Sequence, residues 1–575
     1  MTDGRSAAAR RPFPWEASYP PGVVWDAPIT TTTLPDLLRR SVARHAESPA
    51  IDYFERTITY GELGAAVRNA ALALHAAGVG PGRTLALFLP NAPANPIALF
   101  GGLEAGARIA YLSPLDGLKT LAYKLKDCGA ETLVTTDIAA MLDSALRLLD
   151  EGHVRRLIVV EDDEASPLPR GSIPERPDVS ALSTLIGKAD PTISLPRLAA
   201  EDVALLQYTG GTTGVPKAAV LTHVNLTATA SMYENCFRPQ EPFLPGERRV
   251  LCVLPLSHIY ALTTILVRYL GAGDEILLRP RFDALATLDD IERKRVTSFP
   301  GVPTMWIALA AHPSIGARDL SSLFYCGSGG APLPVEVARR FRALTGHRLR
   351  GGWGLTETSP GGTTLPMNGP DKPGSIGLPL PGIELQVVAL DDPKTILPPG
   401  ETGEIRIKGP NVTRGYWNNP EATAAAFVDG FFLTGDVGYM DEDGFFYLVD
   451  RKKDMIIVGG VNVYPQVIEQ AIYEHPDVEE AIVIGIPDER LGEVPKAFVK
   501  LRDGSAPLSL EALRQFLDER LGPLERPVAL DCRSALPRTA VGKLSHAALR
   551  EERAAASSLQ RQAKPSPASR SSKVS

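Results

Sequence analysis

Tyr208-Thr-Gly-Gly-Thr-Thr-Gly-Val-Pro-Lys217 follows directly on Val203-Ala-Leu-Leu206, an apolar run that reads as a buried strand. Glycines let backbone N–H groups come close to a ligand, threonine hydroxyls donate to oxygen, and the lysine adds a point charge. That combination suits a polyphosphate. It is not a Walker A loop, because Val215 and Pro216 stand between Gly214 and Lys217, where that motif has Gly-Lys adjacent. A Gly/Thr cluster is also the ordinary composition of a surface turn. The stretch alone leaves both readings open, and the remaining motifs decide.

The chain has 575 residues, more than one hydrophobic core accommodates, so two or more domains are expected. Its apolar content of 44% and charged content of 22% are those of an ordinary globular protein. A net charge of −7 argues against a broad nucleic-acid surface while leaving room for a local basic pocket. The five cysteines are scattered, with no C-x-x-C pair, which suggests neither a zinc site nor a disulfide framework and fits a reducing compartment. Met1 to Arg11 lacks a signal peptide's apolar segment. Thr84 to Leu103 and Val250 to Val267 are uncharged, but prolines and polar groups break both at mid-length, so no transmembrane segment is expected.

From about Thr30 to Ala200 the pattern alternates helix and strand: Leu34 to Ala46, Ile58-Thr-Tyr60, Glu62 to Ala77, Thr84 to Leu89. Alternation of this kind predicts an α/β fold with a mainly parallel sheet. The stretch Glu161 to Pro177 reads as an exposed loop. After the glycine loop, a strand at Val250-Leu-Cys-Val-Leu254 leads into Pro-Leu-Ser-His-Ile-Tyr260. A histidine just past a strand end stands where such sheets bind ligands, although an isolated one would more simply be a hydrogen-bonded core residue. Leu323-Phe-Tyr-Cys326 is a further strand, leading through Gly327-Ser-Gly-Gly-Ala-Pro332 to a helix with Val337, Phe341 and Leu344 on one face.

Gly351-Gly-Trp-Gly-Leu-Thr-Glu357 sets a hydroxyl beside a carboxylate, a pair that suits a hard cation bridging phosphate oxygens. Alone, Glu357 would read as a surface charge. Thr434-Gly-Asp436 and Asp450-Arg451 bracket a strand-rich segment with a hairpin turn at Asp443-Gly444. The run Asp450-Arg-Lys-Lys-Asp454 has the composition of a solvated turn or of a hinge between domains. The expected organisation is an N-terminal extension over 1–29, a large domain over 30–450, a small domain over 451–550 and a tail over 551–575. Within the small domain, Leu510 to Leu521 should form a helix. The tail is too poor in large apolar residues to fold.

Taken together, these motifs resemble the adenylate-forming acyl-CoA synthetase family, from Thr59-Tyr-Gly-Glu-Leu63 to Gly542-Lys543. Tyr208 to Gly214, Pro255 to Leu262 and Asn91 to Leu99 look most like its medium- to long-chain fatty-acid CoA ligases. The resemblance implies a large N-terminal domain of layered, mainly parallel sheets and a small, mobile α+β C-terminal domain. It also implies a two-step reaction: a carboxylic acid and ATP form acyl-AMP and pyrophosphate, and coenzyme A then displaces AMP.

By the same resemblance, Thr209, Gly210, Gly211, Thr212, Thr213, Gly214 and Lys217 hold the ATP phosphates. Thr356 contacts phosphate, Glu357 binds Mg²⁺, Asp436 accepts from the ribose hydroxyls and Arg451 assists. Gly329, Gly330, Ala331, Trp353 and Gly354 border the adenine and the acyl entrance. Lys543 matches the adenylation lysine, Lys453 the hinge, and Gly459 and Gly460 the pantetheine passage. His258 matches a residue that positions the acid carboxylate or serves the thioester step. Departures from the pattern are Gly211 for serine, Ser257 for an aromatic, Val461 for a frequent Glu, and Leu524-Glu-Arg-Pro527 without Lys-Pro.

Three alternatives stay open at this point: a dicarboxylic acid substrate, which would want a cation deep in the acyl pocket; an enzyme that loads a carrier protein; and a relative that only binds nucleotide. The expected setting is cytoplasmic, as a monomer or homodimer, with peripheral membrane contact left open.

Overall fold

A cap explains the first departure from the expected elements. The Thr59 hydroxyl accepts from the Glu62 N–H while the Glu62 carboxylate accepts from the Thr59 N–H, so Tyr60 opens a helix, Tyr60–Ala76, and the strand before it ends at Thr59. The computed structural model describes residues 11–161, 166–209, 216–488, 490–539 and 543–553. Glycines 210, 211 and 214 and threonines 212 and 213 lie outside the described residues, as do most of the expected tail and the first ten residues. Two compact units divide the chain, one ending at Lys452 and the other beginning at Lys453.

The first unit is built on two sheets. One has the strand order Val179–Ala181, Arg156–Val160, Thr132–Thr136, Thr84–Leu87, Arg108–Tyr111, Val203–Thr209, Lys217–Thr222. Every neighbouring pair is parallel except the last, a hairpin in which Thr209 faces Lys217. The strands at its centre are buried along their length, as helices on both faces require.

The second sheet is mixed. Pro49–Tyr53, Glu275–Leu278, Arg249–Cys252, Ser298–Gly301, Tyr325–Ser328 and Leu349–Trp353 run parallel, and the sheet then continues antiparallel through Thr363–Thr364, Ser375–Pro379, Phe446–Arg451, Phe431–Met440, Gly403–Lys408 and Glu384–Val388. The apolar core between the two sheets includes Leu85, Leu205, Val250 and Ile276, all at 1% exposure or less.

Two sequence expectations shift. The strand placed at Leu323–Cys326 occupies Tyr325–Ser328, because Phe324 and Tyr325 both donate to the Thr297 carbonyl and only then does the parallel register begin. Leu344 is 43% exposed, since the helix Val335–Thr345 ends one residue later at a left-handed Gly346 and buries only Val337 and Phe341.

In the second unit, strands Val461–Val463, Ile456–Val458, Gly492–Leu501 and Val478–Asp488 pair in that order, with Ala529–Cys532 parallel to Gly492–Leu501. Helices Pro465–Tyr473 and Leu510–Leu517 close its core, the second being shorter than its leucine pattern suggested although Leu521 remains buried. No helix among the described residues is long and apolar enough to cross a membrane.

Candidate active site

The carboxyl ends of the parallel strands gather the polar motifs at one edge of the first unit, where open α/β sheets place their ligands. Thr209 ends one strand and Lys217 begins its antiparallel partner, so the two residues that flank the glycine run in the sequence face each other. The segment Thr413–Trp417 is stitched along the outer strand of that hairpin. Val220 donates to the Gly415 carbonyl at 2.9 Å, Trp417 to Ala218 at 2.8 Å, and the Thr413 hydroxyl to Val220 at 2.7 Å. The Thr413 N–H donates to the Glu357 carbonyl at 2.7 Å and so holds the Thr356–Thr358 turn against the hairpin.

The consequence is a short relay. The Lys217 ammonium lies 5.5 Å from the centroid of the Tyr416 ring, and the Tyr416 hydroxyl donates to Glu357 Oε1 at 2.8 Å. Burial pushes the Glu357 carboxyl above the usual range, against the opposing pull of its own backbone N–H, Tyr416 and Arg451, while Asp436 pushes the same way as burial. Glu357, Asp436 and Arg451 therefore share one electrostatic environment, with Thr356 next to Glu357 in the chain. The Trp353 indole donates to Asp436 Oδ2 at 2.7 Å, and Arg451 Nε lies 3.0 Å from Asp436 Oδ1. Two partners leave about half of the carboxylate's four lone-pair positions for further donors.

Gly329, Gly330 and Ala331 follow the strand adjacent to the one that carries Trp353 and Gly354, so both turns open at the same edge. His258 caps the short helix Ile259–Ala261, its Nδ1 accepting from the Tyr260 N–H at 3.2 Å. Two side-chain amides from the other sheet hold the turn before it. Asn91 donates to the carbonyls of Leu254 and Arg279 at 2.8 and 3.1 Å and accepts from Leu256 at 2.8 Å. Gln207 donates to the Ser257 carbonyl at 2.8 Å.

Sequence reading missed Tyr416, Thr413 and Gln207, and took Asn91 only as part of a resemblance. Their partners are mostly backbone groups far away in the chain, and no periodicity marks them.

Lys453, Gly459, Gly460 and Lys543 belong to the second unit. Gly459 and Gly460 have φ of +58° and +86° and form the tight turn between Ile456–Val458 and Val461–Val463, which is sufficient reason for glycine at both. Lys543 lies in a loop closed by Thr539, whose N–H donates to the Lys543 carbonyl at 2.7 Å and whose hydroxyl accepts from the Lys543 N–H at 3.2 Å.

Against this geometry, the model of the family described as AMP-binding enzyme matches residues 38–417, and that of the AMP-binding enzyme C-terminal domain matches residues 467–543. The chain belongs to the AMP-binding enzyme family. A long-chain-fatty-acid–CoA ligase of Bacillus subtilis is 37% identical over 94% of this chain and 98% of its own length. A feruloyl-CoA synthase of an Amycolatopsis species is 38% identical over 88% of this chain and 96% of its own. The crystal structure of an anthranilate CoA ligase in complex with anthranoyl-AMP superposes with a TM-score of 0.82 at 25% identity, over 92% of this chain and 99% of the other. As a member of the family, this chain is an ATP-dependent acid–CoA ligase that works through an acyl-AMP intermediate, with ATP and coenzyme A as substrates.

Proposed function

We propose that the acid is a medium- to long-chain fatty acid and that the cluster around Glu357 and Asp436 is where it becomes an adenylate. The observation that carries the reading is the relay from Lys217 through Tyr416 to Glu357, a cation over a ring whose hydroxyl is hydrogen-bonded to the carboxylate of the Thr-Glu turn. The name of the B. subtilis relative supports the fatty acid.

In the first step the acid carboxylate attacks the α-phosphorus of ATP. A C–O–P bond forms and the bond to the pyrophosphate oxygen breaks. Charge develops on a leaving group that Lys217 and the threonines of the glycine loop would hold, and positioned cations and donors are the main way such a step is accelerated. Asp436 keeps the ribose in place through the lone pairs that Trp353 and Arg451 leave unused. Lys543 bridges the attacking carboxylate and the α-phosphate. In the second step the coenzyme A sulfur attacks the acyl carbon, the C–S bond forms, and AMP leaves with the shared oxygen. Lys453, where the second unit begins, is the proposed hinge, with Lys543 serving the first step and the Gly459–Gly460 turn the second.

Among the described residues no group of three or more His, Cys, Asp or Glu side chains is placed to hold a metal ion. That fits Mg²⁺ bound mostly through substrate phosphates, with Glu357 as the protein ligand, since this cation keeps few protein oxygens. A half-buried carboxylate whose charge is disfavoured by desolvation is a place where a cation is welcome. When bound, the ion neutralises charge on the phosphates. Free, scattered cysteines fit a cytoplasmic setting.

The test is AMP release by the purified chain over a series of fatty acids. Release that needs ATP, Mg²⁺, coenzyme A and an acid of medium or longer chain is expected. Release with short dicarboxylic acids alone would overturn the fatty-acid assignment.

A further inference from the structure

Ser359 follows shortly after Glu357 and has φ of +61° and ψ of +33°, a left-handed backbone that any residue with a side chain disfavours. The next residue is Pro360, and a residue before proline is normally driven toward extended backbone. Ser359 is fully buried, and its hydroxyl makes no hydrogen bond among the described residues. Its own side chain therefore does not hold the conformation. A residue in so sparse a region persists only where its surroundings impose it.

The left-handed step reverses the chain. The Ser359 N–H donates to the Thr356 carbonyl at 3.1 Å, and the Gly361 N–H to the Thr358 carbonyl at 2.7 Å. The reversed chain lies hard against Gly354, where an added Cβ would fall 1.6 Å from the Pro360 carbonyl oxygen. The reversal thus sets how the Thr356–Thr358 turn sits against the strand of Trp353, whose indole reaches Asp436.

One side chain spans it. The Asn411 amide donates to the Thr358 carbonyl at 2.7 Å and to the Gly361 carbonyl at 2.8 Å, so both ends of the reversal hang on a single group. Asn411 has no exposed surface, and its Oδ1 accepts no hydrogen bond among the described residues. Asn411 is itself fixed from behind. The Asn225 amide donates to the carbonyls on either side of it, Pro410 at 2.8 Å and Val412 at 3.0 Å. Asn225 Oδ1 accepts from the Thr222 N–H and hydroxyl, both at 2.9 Å, and Thr222 ends the strand that Lys217 begins. Two asparagines therefore run a line of hydrogen bonds from the Lys217 strand to the turn that carries Glu357, separate from the one through Tyr416.

A buried asparagine across a relaxed turn would be plain structure, since the turn would keep its shape without it. Here the turn is held away from the backbone its sequence prefers, so cutting the clamp lets it move. We infer that Asn411 is a positioning residue for the first step: by holding Ser359 left-handed it keeps the Glu357 carboxylate where a phosphate-bound Mg²⁺ meets it. The inference rests on the proposed reading of Glu357 as the protein ligand of that ion.

The experiment titrates the purified full chain with ATP by calorimetry, once in Mg²⁺ and once in EDTA. The ratio of the two Kd values reports how strongly the ion couples to the protein, and it does not depend on the fraction that folds. Asn411→Ala should lower that ratio about tenfold, the worth of a partner that orients a metal ligand, and should leave the Kd in EDTA close to that of the unaltered chain. Ser359→Gly should change the ratio little. Combined with Asn411→Ala it should restore most of what was lost, because glycine adopts the left-handed backbone unaided. If Asn411→Ala yields no folded protein, Asn411→Ser, which keeps one donor, carries the test with a smaller shift in the same direction and the same recovery. A ratio unmoved by the Asn411 variants, or no recovery with Ser359→Gly, would overturn the inference while Glu357→Gln still collapses the ratio. A ratio unmoved by Glu357→Gln would instead overturn the metal-ligand reading, and the inference with it.

Discussion

Tyr416 donates its hydroxyl proton to Glu357 across 2.8 Å, while Lys217 faces the ring of the same tyrosine at 5.5 Å. One side chain thus ties the outer strand of the phosphate-loop hairpin to a carboxylate 140 residues further along the chain from Lys217. Replacing it by phenylalanine keeps the ring and removes only the hydroxyl. Tyr416→Phe should raise the half-saturating Mg²⁺ concentration in ATP–pyrophosphate exchange about tenfold, because partners that orient a metal ligand commonly count for that much. An unchanged Mg²⁺ response would detach Tyr416 from the metal site.

Asp436 holds two donors at once, Trp353 and Arg451. An asparagine can still accept from the indole but loses the charge that pairs with Arg451. We expect Asp436→Asn to raise the KM for ATP about tenfold, the worth of a hydrogen bond to a charged group, and to move the KM for the acid far less. Parallel titrations of the two substrates check the split.

Asn91 is 4% exposed and satisfies the Leu254 carbonyl and the Leu256 N–H in the turn before His258, together with the carbonyl of Arg279 after the neighbouring strand. Asn91→Ala strands those backbone groups. A loss of about 2 kcal/mol or more in stability is expected, from urea unfolding, together with a lower kcat and little change in the KM for ATP. Equal damage to both kinetic constants would mark Asn91 as a folding residue alone.

His223 is buried at the start of the helix His223–Phe237, with Nδ1 accepting from the Leu34 N–H at 3.2 Å. Desolvation pushes its pKa down to about 4, against the pull of Asp202 and Asp36. A histidine neutral in the fold and protonated in the unfolded chain contributes stability that is fully present above about pH 6.5 and is lost as pH falls toward 4. The loss over that window is on the order of 3 kcal/mol for this one group. His223→Gln should flatten the fall of the urea midpoint between pH 7 and pH 4.5. An identical slope in the variant would mean that other groups carry it.

How much of this could be read in the sequence differs by residue. The strand at Val203 was legible because an apolar run is a local signal, whereas its antiparallel pairing with Lys217–Thr222 was not read. The Thr59–Glu62 cap was also local, yet the β-branched Ile58 and the aromatic Tyr60 suggested a strand through the cap itself. Trp353 and Asp436 were legible only through the family pattern. Tyr416 and Gln207 were not legible, because each acts through a partner brought near by the fold: Glu357 and the Ser257 carbonyl.

The central claim is that a single cleft first makes an adenylate and then a thioester, with Lys543 serving only the first step. The most direct measurement takes Lys543→Ala through both half-reactions: ATP–pyrophosphate exchange with the acid, and coenzyme A acylation from supplied acyl-AMP. Exchange should fall about 10²-fold or more while acylation stays close to that of the unaltered chain. Equal loss in both half-reactions would contradict the account.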